Sequence, residues 1–139
     1  MSIRKQYRSK WAKMPLEQKR LAVAEFAGWE WCLEGTYAGV ATYQWRSPDN
    51  IFCGMLSRMH SDKLFCAFRD SDDGDEVLPN YLYSLDAIAG AVAELGDSEY
   101  QDYLAVLHCV VQAGYRNWFE ATAEQRCEAY WVVMTEGCK

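Results

Sequence analysis

Apolar residues recur every three or four positions in four stretches of the chain, which is the spacing of one face of an α-helix. The first stretch predicts a helix over residues 15–27, because Pro15 suits a first helical position and Gly28 follows as a stop signal. The second stretch begins after Ser84 or Asp86, either of which can cap a helix with its side-chain oxygen. Helices are therefore predicted on both sides of the middle of the chain.

Two further apolar stretches lie in the second half. Residues 100–112 have helical spacing, but the run 106–111 is short enough to form a strand, and periodicity leaves both structures open. The last stretch has the clearest start. Thr122 and Gln125 have the spacing of a capping box, in which each side chain accepts from the other residue's backbone N–H, and the helix should continue to about Thr135.

The middle of the chain changes to short, β-rich runs with alternating polarity, which are typical of strands. Four strands are predicted: a run from Trp29 that Gly35 interrupts, then Tyr37–Trp45, Ile51–Leu56 and Leu64–Arg69. The turns between them are short, so an antiparallel meander is the simplest connection. The predicted fold class is α/β (α+β), with an antiparallel sheet of about four strands covered by helices, in the order α-β-β-β-β-α-α-α.

Composition indicates a globular protein. Half of the 139 residues are hydrophobic and 14% are aromatic, which suffices for one core and excludes disorder over the whole length. We expect a basic arm over residues 1–14 and a single α/β sandwich domain over residues 15–139. No apolar run reaches the roughly 18 residues that cross a bilayer, and the charged start does not resemble a secretory signal. A cytoplasmic protein without a membrane partner is expected.

The net charge of −6 conceals an asymmetry along the chain. Residues 1–20 hold seven basic residues and one acidic residue, whereas the remainder holds seven basic and 19 acidic residues. A basic arm could bind nucleic acid or another anion. It could also dock on the acidic surface of its own chain or of a neighbouring subunit, or remain a solvated, frayed terminus. The acidic body makes nucleic acid an unlikely partner.

Few residues of the types that usually act in catalysis or bind metals occur in a recognisable pattern. Six cysteines stand at irregular spacings, so we expect reduced, structural thiols, with Cys109 and Cys127 as small buried hydrophobes. The acidic segment 70–76 departs from EF-hand spacing, which favours a solvated loop over a weak cation site. His60 and His108 belong to no known catalytic motif, and His108 falls on a helical stripe. No cofactor, metal or enzymatic activity is expected.

The surplus of aromatic residues is the most informative candidate for a site. On alternating strands some of these side chains must face away from the core, unless helices cover both faces of the sheet. Exposed aromatic residues beside arginine suit stacking on bases or packing against a protein partner. The candidate ligand- or partner-binding residues are Trp29, Trp31, Tyr43, Trp45, Arg46, Arg58, Arg69 and Arg116.

Several segments also resemble a known family. They are Gly28-Trp29 after the first helix, Leu78-Pro-Asn-Tyr, Ser84-Leu-Asp-Ala-Ile, and Ala121-Thr-Ala-Glu-Gln-Arg-Cys-Glu-Ala-Tyr at the last helix. In these motifs the chain resembles the small phage proteins of the ABA-sandwich type and similar uncharacterised early-region phage proteins. The resemblance covers about residues 16–33 and 78–131.

This resemblance implies a sheet covered by helices and a phage or prophage origin, and it supplies no catalytic residues. Residues 34–77 contain none of the sequence motifs that resemble the family. A function specific to this chain is therefore expected in that middle segment or in the basic arm.

Three function hypotheses follow. The first is a phage-encoded, non-enzymatic accessory protein that binds and inhibits a host factor, for example a component of antiviral defence. The second is an oligomer that sequesters a nucleotide signal such as a cyclic nucleotide, with arginines on the phosphates and aromatic rings on the bases. The third is nucleic-acid binding through the basic arm. The expected location is the host cytoplasm, and the expected assembly is a homo-oligomer.

Overall fold

The computed structural model of the chain describes residues 3–68, 77–112 and 120–137. The chain divides into two compact units, a helical unit from residues 1–23 and 80–139 and a sheet unit from residues 24–79. Helices and an antiparallel sheet together confirm the predicted α+β class. No helix within the described ranges is long and apolar enough to cross a membrane.

In chain order the described elements are α1 (Ile3–Lys13), α2 (Leu16–Phe26), β1 (Glu30–Tyr37), β2 (Val40–Arg46), β3 (Phe52–Ser57), α3 (Lys63–Ala67), α4 (Leu85–Ala93), α5 (Asp97–Gln112) and α6 (Ala123–Gly137). A 3₁₀ turn at His60–Asp62 precedes α3. The predicted helix over residues 15–27 is confirmed as α2, and residues 100–112 are helical, which settles the alternative left open by their periodicity.

The predicted helix starts are confirmed atom by atom. The Ser84 hydroxyl accepts from the Ala87 backbone N–H at 3.1 Å and caps α4. At α6, the Thr122 backbone N–H donates to Gln125 Oε1 at 2.9 Å, and the Gln125 N–H donates to Thr122 Oγ1 at 3.1 Å. These are the two bonds of a capping box, which satisfy backbone donors that a helix start otherwise leaves unpaired.

The helical unit is built around α6, whose buried residues contact α5, α4 and α1. The first helix contributes Trp11, which is 2% exposed and packs against Trp131 of α6 with ring centres 5.6 Å apart. The charge pattern predicts a basic arm over residues 1–14. Residues 3–13 instead form a complete helix anchored by that indole.

The sheet unit holds three antiparallel strands in the order β1-β2-β3. Trp31 pairs with Trp45 across β1 and β2, and Tyr37 pairs with Val40 next to the hairpin turn. Ala38 and Gly39 form that turn with φ angles of 52° and 81°, the left-handed conformation that a two-residue type I′ hairpin requires. The predicted interruption of β1 at Gly35 is wrong, because the strand passes through Gly35 with a bulge after Leu33.

The predicted fourth strand, Leu64–Arg69, is also wrong. Residues 63–67 form α3, which packs on β2 and β3, and Arg69 lies outside the described residues. The apolar run 64–68 has no polar alternation, so its pattern does not separate a strand from a short helix. Tertiary contacts select the helix over the strand. Indole N–H groups of the sheet donate to the backbone carbonyls of His60 and Lys63 and hold the chain across the sheet face.

Candidate functional site

Three of the predicted site residues form an aromatic cluster on one face of the sheet. Trp31 of β1 lies opposite Trp45 of β2, with ring centres 5.8 Å apart, and stacks on Tyr43 at 6.1 Å with an interplanar angle of 22°. Residues 43 and 45 share this face because side chains two apart along a strand point the same way. The register of β1 and β2 therefore assembles the cluster.

The 3₁₀ turn and α3 hold this cluster in place. The Trp31 indole N–H donates to the His60 carbonyl at 2.9 Å, and the Trp45 indole N–H donates to the Lys63 carbonyl at 3.1 Å. The His60 ring meets Tyr43 edge-on at 5.1 Å. Both indoles are thus fixed by hydrogen bonds as well as by ring contacts, which gives the cluster one defined geometry.

Part of the cluster remains open to solvent. Trp45 is fully buried, whereas Trp31 and Tyr43 are half-buried. Leu33, which pairs with Tyr43, is 56% exposed, and Met59, which precedes His60, is 59% exposed. We call the following five residues, which are connected by ring contacts, strand pairing or adjacency in the chain, the aromatic surface: Trp31, Leu33, Tyr43, Met59 and His60.

The predicted arginines do not all accompany the aromatic residues. Arg46 lies on the opposite face of β2 from Trp45, and its Nη2 donates to Glu30 Oε2 at 2.6 Å. Arg58 is exposed at the end of β3, next in sequence to Met59. Trp29 is half-buried before β1, and its backbone N–H donates to the Ala24 carbonyl. Arg69 and Arg116 lie outside the described residues.

The helical unit contains a second candidate, a cavity of about 280 Å³ between α4, α5 and α6. Ala89 and Val92 of α4 line one side, Tyr100 and Tyr103 of α5 line another, and Arg126 of α6 supplies a positive charge. Burial raises the pKa of the Tyr103 hydroxyl to about 12, and the charge of Arg126 opposes this increase. Tyr103 therefore stays a neutral hydroxyl at physiological pH.

Sequence reasoning did not select this cavity. It predicted only helical spacing over residues 100–112 and a capping box at the start of the last helix. The i, i+3 spacing of the two tyrosines places them on one side of α5, and this was the available signal. That Arg126 faces them from another helix depends on the packing of α5 and α6. His60 and Met59 also join the aromatic surface only through the 3₁₀ turn.

The basic residues of α1 pair with acidic residues of the same unit. Arg4 forms ion pairs with Glu136 at 3.0 Å and Asp102 at 3.3 Å, and Arg8 pairs with Glu128 at 3.2 Å. Of the alternatives considered for the basic segment, docking on the chain's own acidic surface is what the structure contains. Partly exposed ion pairs contribute at most about 1 kcal/mol each, so burial of Trp11 contributes more to holding the helix.

Glu128 gives this helix contact a pH dependence. Burial raises the pKa of the Glu128 carboxyl group, and the nearby Arg8 only partly offsets this. Between the ordinary glutamic acid pKa and the raised one, the folded protein holds a proton that the unfolded chain has lost. The free energy of unfolding therefore falls as the pH rises through that interval.

We expect a Glu128→Gln variant to lack this part of the pH dependence. Urea denaturation from about pH 4 to about pH 7 should show the stability of the wild-type protein falling relative to that of the variant. The difference in free energy of unfolding between the two proteins is the quantity to compare. If it stays constant with pH, or shifts in favour of the wild-type protein as the pH rises, the result contradicts the burial of this carboxyl group.

The thiols and histidines carry no metal centre in the described part of the chain, where no group of three or more His, Cys, Asp or Glu residues could hold an ion. Cys127 is buried as predicted, its Sγ donates to the Tyr81 carbonyl at 3.1 Å, and burial raises the pKa of its thiol. The prediction that Cys109 is buried is wrong, because its side chain is exposed on α5, as is that of His108.

The chain was compared with models of known protein families, with curated protein sequences and with solved structures, and none of them matches it.

Proposed function

We propose that the protein is a phage-encoded accessory protein without catalytic activity, which binds a host protein through the aromatic surface and inhibits it, for example a component of antiviral defence. The observation that carries this proposal is the half-exposed stack of Trp31 on Tyr43, flanked by exposed Leu33 and Met59. The phage origin rests on the resemblance of residues 16–33 and 78–131 to small phage proteins.

A protein partner fits the chemistry of this surface. Tryptophan and tyrosine are enriched among the residues that dominate binding energy, and contiguous exposed apolar patches mark interaction sites. Trp31 is already fixed by its hydrogen bond to the His60 carbonyl and by its stacking on Tyr43. Side chains held in one geometry before binding lose less conformational entropy when the partner arrives.

The charge of the sheet unit defines the partner further. Residues 24–79 contain ten acidic and four basic residues. An acidic unit that presents an apolar patch favours a partner with an apolar centre and a basic rim, because complementary potentials accelerate association and disfavour wrong partners. We therefore propose a basic surface on the host protein.

The nucleotide hypothesis has weaker support at this site. Arg46 lies on the other face of the sheet and pairs with Glu30, so it does not stand beside the stacked rings. Among the described residues, Arg58 is the arginine that adjoins the aromatic surface in sequence. One exposed arginine suits the rim of a protein interface, whereas a nucleotide signal would need cations placed on its phosphates next to the ring that stacks on its base.

A matched pair of variants tests the proposal. Leu33→Glu places a charge within the aromatic surface, beside Tyr43. Ile51→Glu places the same charge at an equally exposed position outside it, since these residues are 56% and 60% exposed. In affinity purification from host cells, we expect a specific host protein with the wild-type protein and with Ile51→Glu. Its recovery should fall about tenfold or more with Leu33→Glu, as for loss of a binding hot spot.

Both variants should keep the circular dichroism spectrum and melting temperature of the wild-type protein, because each position is exposed. Equal recovery of the host protein by Leu33→Glu and Ile51→Glu, or no host protein whose recovery depends on position 33, would overturn the proposal.

A further inference from the structure

One edge of the sheet has no partner strand in the described part of the chain. The order β1-β2-β3 makes β1 an edge strand, and its backbone bonds to no described element other than β2. It contains neither proline nor lysine, two residues that commonly protect an edge from pairing. The bulge after Leu33 interrupts regular pairing, so the segment that this edge can accept is short.

The two faces of β1 differ in chemistry. The residues of β1 that belong to the aromatic surface lie on the same face as Tyr43 of β2. Glu30 and Glu34 lie on the other face, because their carboxylates bond to Arg46 and Thr42, which alternate with Tyr43 along β2. The edge therefore alternates between apolar and acidic positions.

Both carboxylates can accept a further cation. Arg46 binds Glu30 through one oxygen, Oε2 at 2.6 Å, and the Glu30 side chain is exposed. Glu34 accepts from two neutral hydroxyl groups, those of Thr42 at 3.0 Å and Tyr37 at 3.2 Å, and pairs with no cation among the described residues. A carboxylate offers about four acceptor sites, so neither glutamate is saturated by these contacts.

The pattern selects the occupant of this edge. A second copy of the chain would place its own acidic face beside Glu30 and Glu34, and like charges directly opposite each other destabilise strand pairing. A segment with basic side chains on that face is attracted instead. The other edge strand, β3, contains no charged residue and offers no such discrimination.

We propose that β1 accepts a short extended segment of the host protein as a fourth strand, in which apolar residues alternate with lysine or arginine. Its backbone would bond to β1, its apolar side chains would lie beside Trp31 and Leu33, and its basic side chains would meet Glu30 and Glu34. This inference rests on the proposed function, since it specifies how the host protein reaches the aromatic surface.

The capped peptide Arg-Val-Lys-Val-Arg-Val is a suitable probe, and Glu-Val-Glu-Val-Glu-Val is its acidic counterpart. In a titration followed by two-dimensional NMR, the basic peptide should shift the amide signals of residues 30–34 with a Kd below about 1 mM. The signals of residues 52–57 in β3 should move little. The acidic peptide should bind about tenfold or more weakly, because it places like charges opposite Glu30 and Glu34.

Methylation of the basic peptide on alternate backbone nitrogens tests the pairing itself. Alternate N–H groups of an extended chain point to the same edge, so each of the two possible methylated sets blocks one edge of the peptide. One of these two peptides should bind β1 about tenfold or more weakly than the unmodified peptide. The other should bind with almost unchanged affinity.

Glu34→Gln tests the charge on the protein. Glutamine keeps an oxygen that can accept from Thr42 but removes the negative charge, so the basic peptide should bind about fivefold more weakly. Glu94→Gln is the matched control, because it removes the same charge from an exposed residue at the end of α4 in the helical unit. Its affinity for the basic peptide should equal that of the wild-type protein.

Equal affinity for the basic and acidic peptides, an equal effect of the two methylated sets, or signals that shift only in β3 would overturn this inference. So would a dimer of the protein alone that the basic peptide dissociates, since a second copy would then occupy the edge. If these results appear while recovery of the host protein still depends on position 33, the proposed function stands without the added strand. If the peptide pairs with β1 as expected but no host protein depends on position 33, the proposed function is the part that fails.

Discussion

Trp45→Ala is expected to lower the free energy of unfolding by about 3–5 kcal/mol, the usual range for removing a fully buried tryptophan. Trp45 is 0% exposed and packs against Trp31. The substitution removes this apolar area, leaves a cavity, and deprives the Lys63 carbonyl of the indole N–H that donates to it at 3.1 Å. Chemical denaturation of the two proteins measures the difference.

Leu33→Ala is the control for this substitution. Leu33 shares the sheet face of Trp45 but is 56% exposed, so its truncation should change the free energy of unfolding by only about 0.5 kcal/mol. If Trp45→Ala costs no more than Leu33→Ala, the indole is not the core of the sheet unit, and the aromatic surface lacks the rigid support described above.

Trp11→Ala is expected to be similarly costly, at about 3–5 kcal/mol. Trp11 is 2% exposed, lies 5.6 Å from the Trp131 ring centre, and has the Lys19 ammonium group 5.3 Å above its own ring. Without this anchor, the ion pairs of α1 are too weak to keep the helix docked. Backbone amides of residues 4–13 should then exchange with solvent much faster than in the wild-type protein, which hydrogen-exchange mass spectrometry detects.

The comparison for Trp11 is Lys10→Ala on the same helix. Lys10 is exposed, and its substitution should leave both the free energy of unfolding and the exchange of α1 almost unchanged. A loss below about 1 kcal/mol for Trp11→Ala, together with fast exchange of α1 in the wild-type protein, would show that residues 3–13 behave as a loose arm.

The parts of the fold that could be predicted are those determined by residues close together in sequence. The capping box of Thr122 and Gln125 and the cap at Ser84 involve side chains within three positions of the backbone groups they bind. Such contacts form between residues that are close in sequence, and they do not depend on how the rest of the chain packs. The starts of α4 and α6 followed directly from them, and the position of α2 followed from Pro15 and Gly28 at its two ends.

The errors in the middle of the chain have tertiary causes. The apolar run 64–68 is helical at α3 because the sheet holds its start through the indoles of Trp31 and Trp45. Gly35 in a β-rich run predicts a break, but the strand absorbs it with a bulge after Leu33. The actual turn lies at Ala38–Gly39 and requires positive φ at an alanine. The hydrophobic pattern of a short segment does not predict these features.

The candidate site was predictable in part for the same reason. Alternation placed Trp31, Tyr43 and Trp45 where a sheet could bring them together, and the register does so. The same alternation puts Arg46 on the opposite face from Trp45, which the sequence already implied. The cavity beside Arg126 required knowledge of how α5 meets α6, and no spacing within one helix reveals that.

Site-specific photocrosslinking in host cells tests the central claim most directly. A photoreactive amino acid at position 59, in the aromatic surface, is compared with the same amino acid at position 51, which is equally exposed but outside it. The proposed function predicts one discrete crosslinked host protein from position 59 and none from position 51. Identical products from both positions, or no product from position 59, would show that the aromatic surface is not the site at which this protein binds its partner.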